Sequence, residues 1–433
     1  MLAGAAEVDI TPKHPLHLAG YPFVKRDSTG THDSLLSSAL YLKAGANDVL
    51  FIGNDVIFIP KDLSLRARKR INNKTGIREK NIIVSATHTH SSPSTIKFIS
   101  GGHDKLLPPV DQTFLQQLED GIVEAGISAF CNTQSARLSF SVADATGVGT
   151  NRHDPSGVSD MEAPVLLARD LADEVIACML ICNMHPTVLH DDSTLISGDF
   201  PGLARIRLQK DIFKTNAPVV YHMGTAGNQS PRHVTRAKTF EDAERIGSIL
   251  SDAVAASLNK AKELDNISIE VLQKFIELPR RQMPDVDMAV ANERAFSENL
   301  NKLRSKEATP QEIRSAEVNW FGAAELVNLA QMSAKGTLEA AYDLCMPAEI
   351  QVVKIGPLIF VAWPGEIFVE YGLKIKEALP DSFVLTLSNG ELQVYVATKE
   401  AVDAGVYEAN NAIFDYTSGD LLVDETISLI NNR

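Results

Sequence analysis

Hydrophobic and polar positions along this chain repeat with two different periods, and the switches between them mark out its elements. Apolar runs of strand length occur at residues 5–10, 37–43, 48–57, 82–84, 136–142, 165–168, 175–184 and 218–222. Others follow at 267–278, 349–353, 357–362 and 383–387. Between them the spacing predicts helices over 61–73, 112–128, 200–213, 240–262, 367–378 and from about 421. In the second of these, Leu115, Leu118, Ile122 and Ala125 form one apolar stripe. Over 287–341 the composition shifts to Ala, Glu, Lys, Asn and Leu, which predicts two or three helices inserted between strands. The alternation as a whole predicts one large α/β domain over 1–433, with a mixed β-sheet core, flanking helices and that helical insertion.

Charge and composition narrow the partners. Lys+Arg 41 against Asp+Glu 55 leaves a net charge of −14, which argues against nucleic acid and against a hold on anionic lipid. No run is long and apolar enough for stable membrane insertion. The opening MLAGAAEVDITP lacks a basic n-region and meets Glu7 and Asp9 at once, so it does not read as a signal peptide. The expectation is a cytoplasmic protein, unless a leader has been removed. The four cysteines show no zinc-ribbon spacing and read as free, with Cys178 and Cys182 packing on one face of a strand.

Candidate chemistry collects where apolar runs end. VSATHTHSSPS puts His88 and His90 just past a buried strand. If the backbone stays extended there, both imidazoles point the same way. Next, MHPTVLHDDSTLISGD carries His185 ahead of a proline, and Asp199 as a helix N-cap. Ser230 in GTAGNQSPRH is held rigidly before Pro231, with glycines that permit close backbone approach to a ligand. Glu366 in WPGE stands at a strand-to-helix switch. The late VYVATKEA and VYEANNA stretches carry Tyr395 and Tyr407. Each motif alone also has an ordinary structural reading.

In this order, THTHSSP, MHPT with ISGD, AGNQSP, WPGE and the two tyrosine stretches resemble the neutral (non-lysosomal) ceramidases. AEVDITP and GTHDSLLSSALYL near the start are similar to that family's opening segments. The resemblance implies a zinc-dependent hydrolase of an N-acyl (amide) bond, with Zn2+ held by His88, His185, Glu366 and Tyr395. It implies acid/base or oxyanion roles for His90, Arg152 and Tyr407, and Ser230 as the nucleophile, with a zinc-activated water as the competitor.

Two departures bear on the substrate. Asn228 and Gln229 precede the serine where the family has Asp and Val, and Arg232 follows the proline where it has Asn. The family's immunoglobulin-like C-terminal domain has no counterpart, so a catalytic domain alone is expected. The expected substrate is a small-molecule N-acyl or lipid-like compound, ceramide-like or smaller, in a pocket short of a full ceramide tunnel. Ile96, Phe98, Ile99, Leu106 and Leu107, in the loop over 91–110, are candidates to line an acyl channel. An esterase or amidase acting on small polar substrates, or a catalytically silent binding homologue, remain alternatives.

Overall fold

Three mixed sheets meet at the centre of the protein, and each is an antiparallel run that ends in one parallel pair. The first runs Ile82–Ala86, Asn47–Asn54, Leu36–Ala44, Leu2–Asp9, Gln134–Ser135, with the leading two strands parallel. The second runs Val219–Met223, Val175–Cys182, Glu162–Arg169, Arg137–Asp144, Lys262–Glu263, again with a parallel leading pair. The third runs Ile269–Ile276, Ala348–Ile355, Leu358–Ala362, Ser382–Leu385, and its last two strands are parallel. The computed structural model describes residues 1–306 and 308–432; Glu307, inside the predicted insertion, and Arg433 lie outside the described residues.

Parallel neighbours cannot be joined by a hairpin, so each pair needs a crossover. Helices Lys61–Thr75, Asp199–Arg207 and Val369–Ala378 lie on these three connections. The sequence contains no repeat that announces this threefold use of one device. Between the sheets lies one apolar core: Leu40, Phe51 and Ile83 meet Leu166, Met179 and Val220, and both groups meet Val353, Phe360 and Phe383.

The helix ends follow local chemistry. Lys61–Thr75 stops on Gly76, whose φ of 78° lets its N–H reach Asn72 O. The helix predicted over 240–262 ends at Leu258, because Lys262 and Glu263 pair with Phe140 and Ser139 at a sheet edge. Asp199 is a correction: it opens its helix one residue inside the cap, which is Gly198. Its carboxylate accepts from the Phe200 and Leu189 amides. The cysteines are free, and only Cys131 is exposed. No helix among the described residues is long and apolar enough to cross a membrane.

The inserted segment forms helices Val286–Arg304, Pro310–Ala334 and Glu339–Cys345. A capping box starts the second, with the Thr309 hydroxyl on the Glu312 amide and the Glu312 carboxylate on the Thr309 amide. This helix is fastened to the rest of the domain. Asn328 Nδ2 donates to the carbonyls of Ile99 and Ser100 at 2.9 and 3.0 Å. Glu325, 4% exposed, accepts from Asn411 Nδ2 at 2.5 Å.

Burial, with a smaller push from Asp104, raises the Glu325 carboxyl from 4.5 to about 8. Between those values the folded protein binds a proton that the unfolded chain has released, so stability falls as pH rises. Glu325→Gln removes this linkage. The decline in unfolding free energy from pH 5 to 8 should be shallower in the variant, by up to about 4 kcal/mol. Parallel profiles of the two proteins would show that Glu325 is ionised in the fold.

Candidate metal centre

The three parallel pairs deliver their C-terminal ends to one place, where open α/β sheets characteristically bind ligands. Past Ile82–Ala86 the chain reaches His88 and His90; past Val175–Cys182 it reaches His185; past Leu358–Ala362 it reaches Glu366. Backbone bonds sew these ends together. Ala86 N donates to Leu387 O, Asn389 N to Val84 O, Thr386 N to Met223 O and Gly227 N to Ile367 O. The glycines of 224–227 permit backbone to approach neighbouring protein rather than ligand: a Cβ on Gly227 would meet Ile367 C and O at 2.8 Å.

His88 is not on an extended backbone, as the alternation argument expected; its φ is 69°, in the left-handed region. For a residue with a Cβ this costs on the order of 1 kcal/mol, held here by His88 N donating to Val56 O. The two imidazoles nevertheless meet, their Nε2 atoms 3.4 Å apart. His88 Nδ1 donates to Ile57 O at 2.8 Å, and His185 Nδ1 to Ala226 O at 2.6 Å. A carbonyl can only accept, so both Nδ1 atoms carry a proton, and in the neutral form of either ring the lone pair is at Nε2. Those two Nε2 atoms are 3.2 Å apart. Glu366 Oε2 lies 2.7 Å from His185 Nε2 and 3.2 Å from His88 Nε2.

Burial, then the charge of Arg152, pushes His185 down to about 4, so it is neutral at pH 7. Burial pushes the Glu366 carboxyl up, but His88 and His185 outweigh it and hold Glu366 well below the usual carboxylate range. With both rings neutral, two lone pairs and a carboxylate facing one point repel one another, and a cation between them, proton or metal, relieves the repulsion. The donor set, two imidazoles and a carboxylate, suits a divalent metal. His88, His90 and His185 all place ligand-capable atoms within 4.8 Å of one another. His90 differs from the other two, because its buried Nδ1 has no hydrogen-bond partner among the described residues. Its tautomer is therefore not fixed, which suits a proton carrier better than a ligand.

Tyr395 reaches the same place by register: it is the direct partner of Glu366 in the parallel pair Glu366–Ile367 with Tyr395–Val396. Its hydroxyl accepts from Arg152 Nη2 at 3.1 Å, and its ring stacks 6.4 Å from that of His185. Arg152 is held by Glu408 Oε1 at 2.5 Å and by Gly227 O at 2.7 Å. Burial pushes the Glu408 carboxyl up, but Arg152 and His153 overcome it and keep Glu408 charged. Tyr407 stands edge-on to Tyr395 at 5.9 Å, and its hydroxyl accepts from Asn411 Nδ2. Ser230 pairs with Thr150 and lines the same cavity; its Oγ accepts from the Arg232 amide at 3.4 Å.

Seven of the eight sequence-predicted site residues therefore line one connected space, and His185, fully buried, sits behind His88 and Glu366. His90, Tyr395 and Tyr407 stand where its two chambers join. The inner chamber, about 60 Å³, contains His88 and Glu366 and is walled by Ile57, Phe58, Phe98 and Leu107. Of the predicted loop apolars, Ile96 and Ile99 are core residues instead, and Leu106 is exposed. The outer chamber, about 260 Å³, contains Arg152 and Ser230. Glu408, Glu325 and Arg314 were missed by the sequence reading. Glu408 directly follows Tyr407, so its position was in view, but only the fold supplies its arginine.

Residues 1–234 match the family described as neutral/alkaline non-lysosomal ceramidase, N-terminal. The neutral ceramidase of Pseudomonas aeruginosa is 22% identical over 461 residues, covering 95% of this chain and 69% of that protein. The crystal structure of neutral ceramidase from Pseudomonas aeruginosa superposes with a TM-score of 0.77 at 19% identity, over 99% of this chain and 73% of that one. A ceramidase complexed with C2 gives 0.76 at 17% identity, over 100% of this chain and 75% of that one. With the matched span covering more than half of its length and the fold shared nearly throughout, this chain belongs to the neutral/alkaline non-lysosomal ceramidase family.

Proposed function

We propose that the protein is a zinc-dependent hydrolase of the N-acyl bond in a compound smaller than ceramide. The observation that carries this reading is the pair of Nε2 atoms of His88 and His185, 3.2 Å apart and both facing Glu366, with each Nδ1 bonded to a carbonyl. His88, His185 and Glu366 would hold the metal, with Tyr395 as fourth ligand. Burial opposes a Tyr395 phenolate, while the adjacent Arg152 favours it. When bound, zinc supplies Lewis acidity and a water of lowered pKa.

The remaining work falls to side chains. His90 takes up a proton and returns it to the departing nitrogen; burial and the imidazoles of His88 and His185 keep its pKa well below the ordinary value, so it starts neutral. Arg152, fixed by Glu408, and the Tyr407 hydroxyl stabilise the oxyanion that develops on the acyl oxygen. A serine nucleophile needs a base within hydrogen-bond reach, and Ser230 Oγ has only the Arg232 amide as partner among the described residues. Ser230 is therefore assigned to holding a polar group of the substrate. The inner chamber takes the acyl chain, and about 60 Å³ accommodates on the order of four to six water-sized groups. That is a short chain.

The test is a series of N-acyl amides of one amine, varied in acyl length, with protein stripped by chelator and reloaded. Turnover should vanish on stripping, return with one equivalent of zinc, and not return in Glu366→Gln. Within the series kcat/KM should peak at short acyl chains; a steady rise to long chains would restore ceramide as the substrate. Hydrolysis that survives complete metal removal would end the metal-dependent reading.

Ser230→Ala separates the two serine roles. It should lower kcat/KM more on N-butanoyl ethanolamine than on the deoxy analogue N-butanoyl ethylamine. An equal loss of about 10⁴-fold or more on both would make Ser230 the nucleophile.

A further inference from the structure

In a chain of net charge −14, the outer chamber is lined by Arg152, Arg232, Arg236, Lys238 and Arg314 and, among the described residues, by no Asp or Glu. Arg152 is neutralised by Glu408. Glu317 serves two guanidiniums at once, Arg314 at 2.5 Å and Arg304 at 2.7 Å. Lys238 Nζ has Asp191 at 3.7 Å. Arg232 and Arg236 pair with no carboxylate among the described residues. Arg232 Nη1 donates to Arg152 O at 3.3 Å, and that is the one protein acceptor its guanidinium has among the described residues. Burial, then the like charges of Arg152 and Arg314, push Arg232 down to about 10, so it stays charged at neutral pH.

Cations gathered around a half-enclosed cavity repel one another, and an anion in their midst relieves the repulsion. A guanidinium with free N–H groups matches a carboxylate in particular, because its fork donates to both oxygens. The two chambers also orient the substrate. The apolar inner one, beside His88 and Glu366, suits the acyl chain; the basic outer one lies across His90 and Tyr395 and suits the amine half.

We infer that the amine half carries a carboxylate, so that the substrates are short N-acyl amino acids and Arg232 binds the carboxylate. This inference rests on the hydrolase reading above and names the substrate class of the same site. Water adds across the C–N bond: the acyl carbon gains the oxygen and leaves as a carboxylate, and the nitrogen gains the proton and leaves as a free amino acid.

The experiment compares N-butanoyl glycine with its carboxamide, N-butanoyl glycinamide, by titration calorimetry on metal-free protein and by kcat/KM on zinc-loaded protein. The carboxylate should be favoured about tenfold or more in both at low salt, and the preference should shrink as ionic strength rises. Arg232→Gln should bring both ratios most of the way to one, mainly through KM, and Arg232→Lys should restore part of them. Arg236→Gln, at an exposed position, should reduce them less and guards against a folding defect in the Arg232 variants. Equal binding of the two compounds to the wild-type protein, with amides still hydrolysed, would overturn the inference and leave the hydrolase reading standing. A preference for N-succinyl ethylamine over N-butanoyl glycine would place the anion on the acyl half and overturn it as well. Selective carboxylate binding without hydrolysis of any amide by zinc-loaded protein would support the anion site and sink the hydrolase reading.

Discussion

The structure of the site depends on two imidazoles whose Nε2 atoms are aimed at each other. Ile57 O and Ala226 O each accept from the Nδ1 of one ring, so in the neutral rings His88 Nε2 and His185 Nε2 have only acceptor character. Glu366 adds a carboxylate to the same point. Nothing in that set can donate a hydrogen bond while both rings are neutral, so the arrangement is unfavourable without a cation and well made with one. The left-handed backbone at His88 is a further cost accepted at this spot.

The three sheets explain how residues so distant in sequence reach one centre. Each parallel pair aims its carboxyl ends at the site, and the segment after Leu385 then binds the ends together. That segment is itself strained, with Leu387, Asn389, Gln393 and Val394 at positive φ. Buried side chains hold it. Asn389 Oδ1 accepts from Val84 N, and Gln393 Oε1 accepts from Ile99 N. Tyr395 follows directly, in register with Glu366. The inserted helices then close the far side, where Arg314 and Phe321 form part of the outer wall. Chemistry and specificity thus come from different parts of the chain: the sheet ends carry the metal-ligand candidates, and the loops and insertion carry the charge.

Much of this was legible in the sequence, because three of the four ligand candidates follow apolar runs and the ordered motifs resemble one family, which is what implied the ligand set. The apolar runs marked His88, His185 and Glu366 as strand-end residues, the resemblance implied their roles, and the mixed α/β class follows from the alternation. What could not be read is whatever tertiary contacts decide. The conformation of His88 depends on carbonyls of Val56 and Ile57, so period-two alternation gave the wrong reason for a correct meeting of rings. In the loop over 91–110, Phe98 and Leu107 line the inner chamber while Ile96 enters the core, and hydrophobicity alone does not separate them. Glu408 signals nothing until Arg152 is beside it. Asn228 and Gln229, which depart from the family's residues, are structural pins: Asn228 Oδ1 accepts from Val369 N and Gln229 Oε1 from Asp160 N. The basic chamber is gathered from segments that no local pattern connects.

The measurement that bears most directly on the metal centre is an anomalous difference map from crystals of zinc-loaded protein, collected on both sides of the zinc absorption edge. One strong peak is expected about 2.0–2.2 Å from His88 Nε2, from His185 Nε2 and from a Glu366 carboxylate oxygen. The absence of such a peak with the two imidazoles still facing each other, or a zinc site elsewhere in the protein, would contradict this assignment.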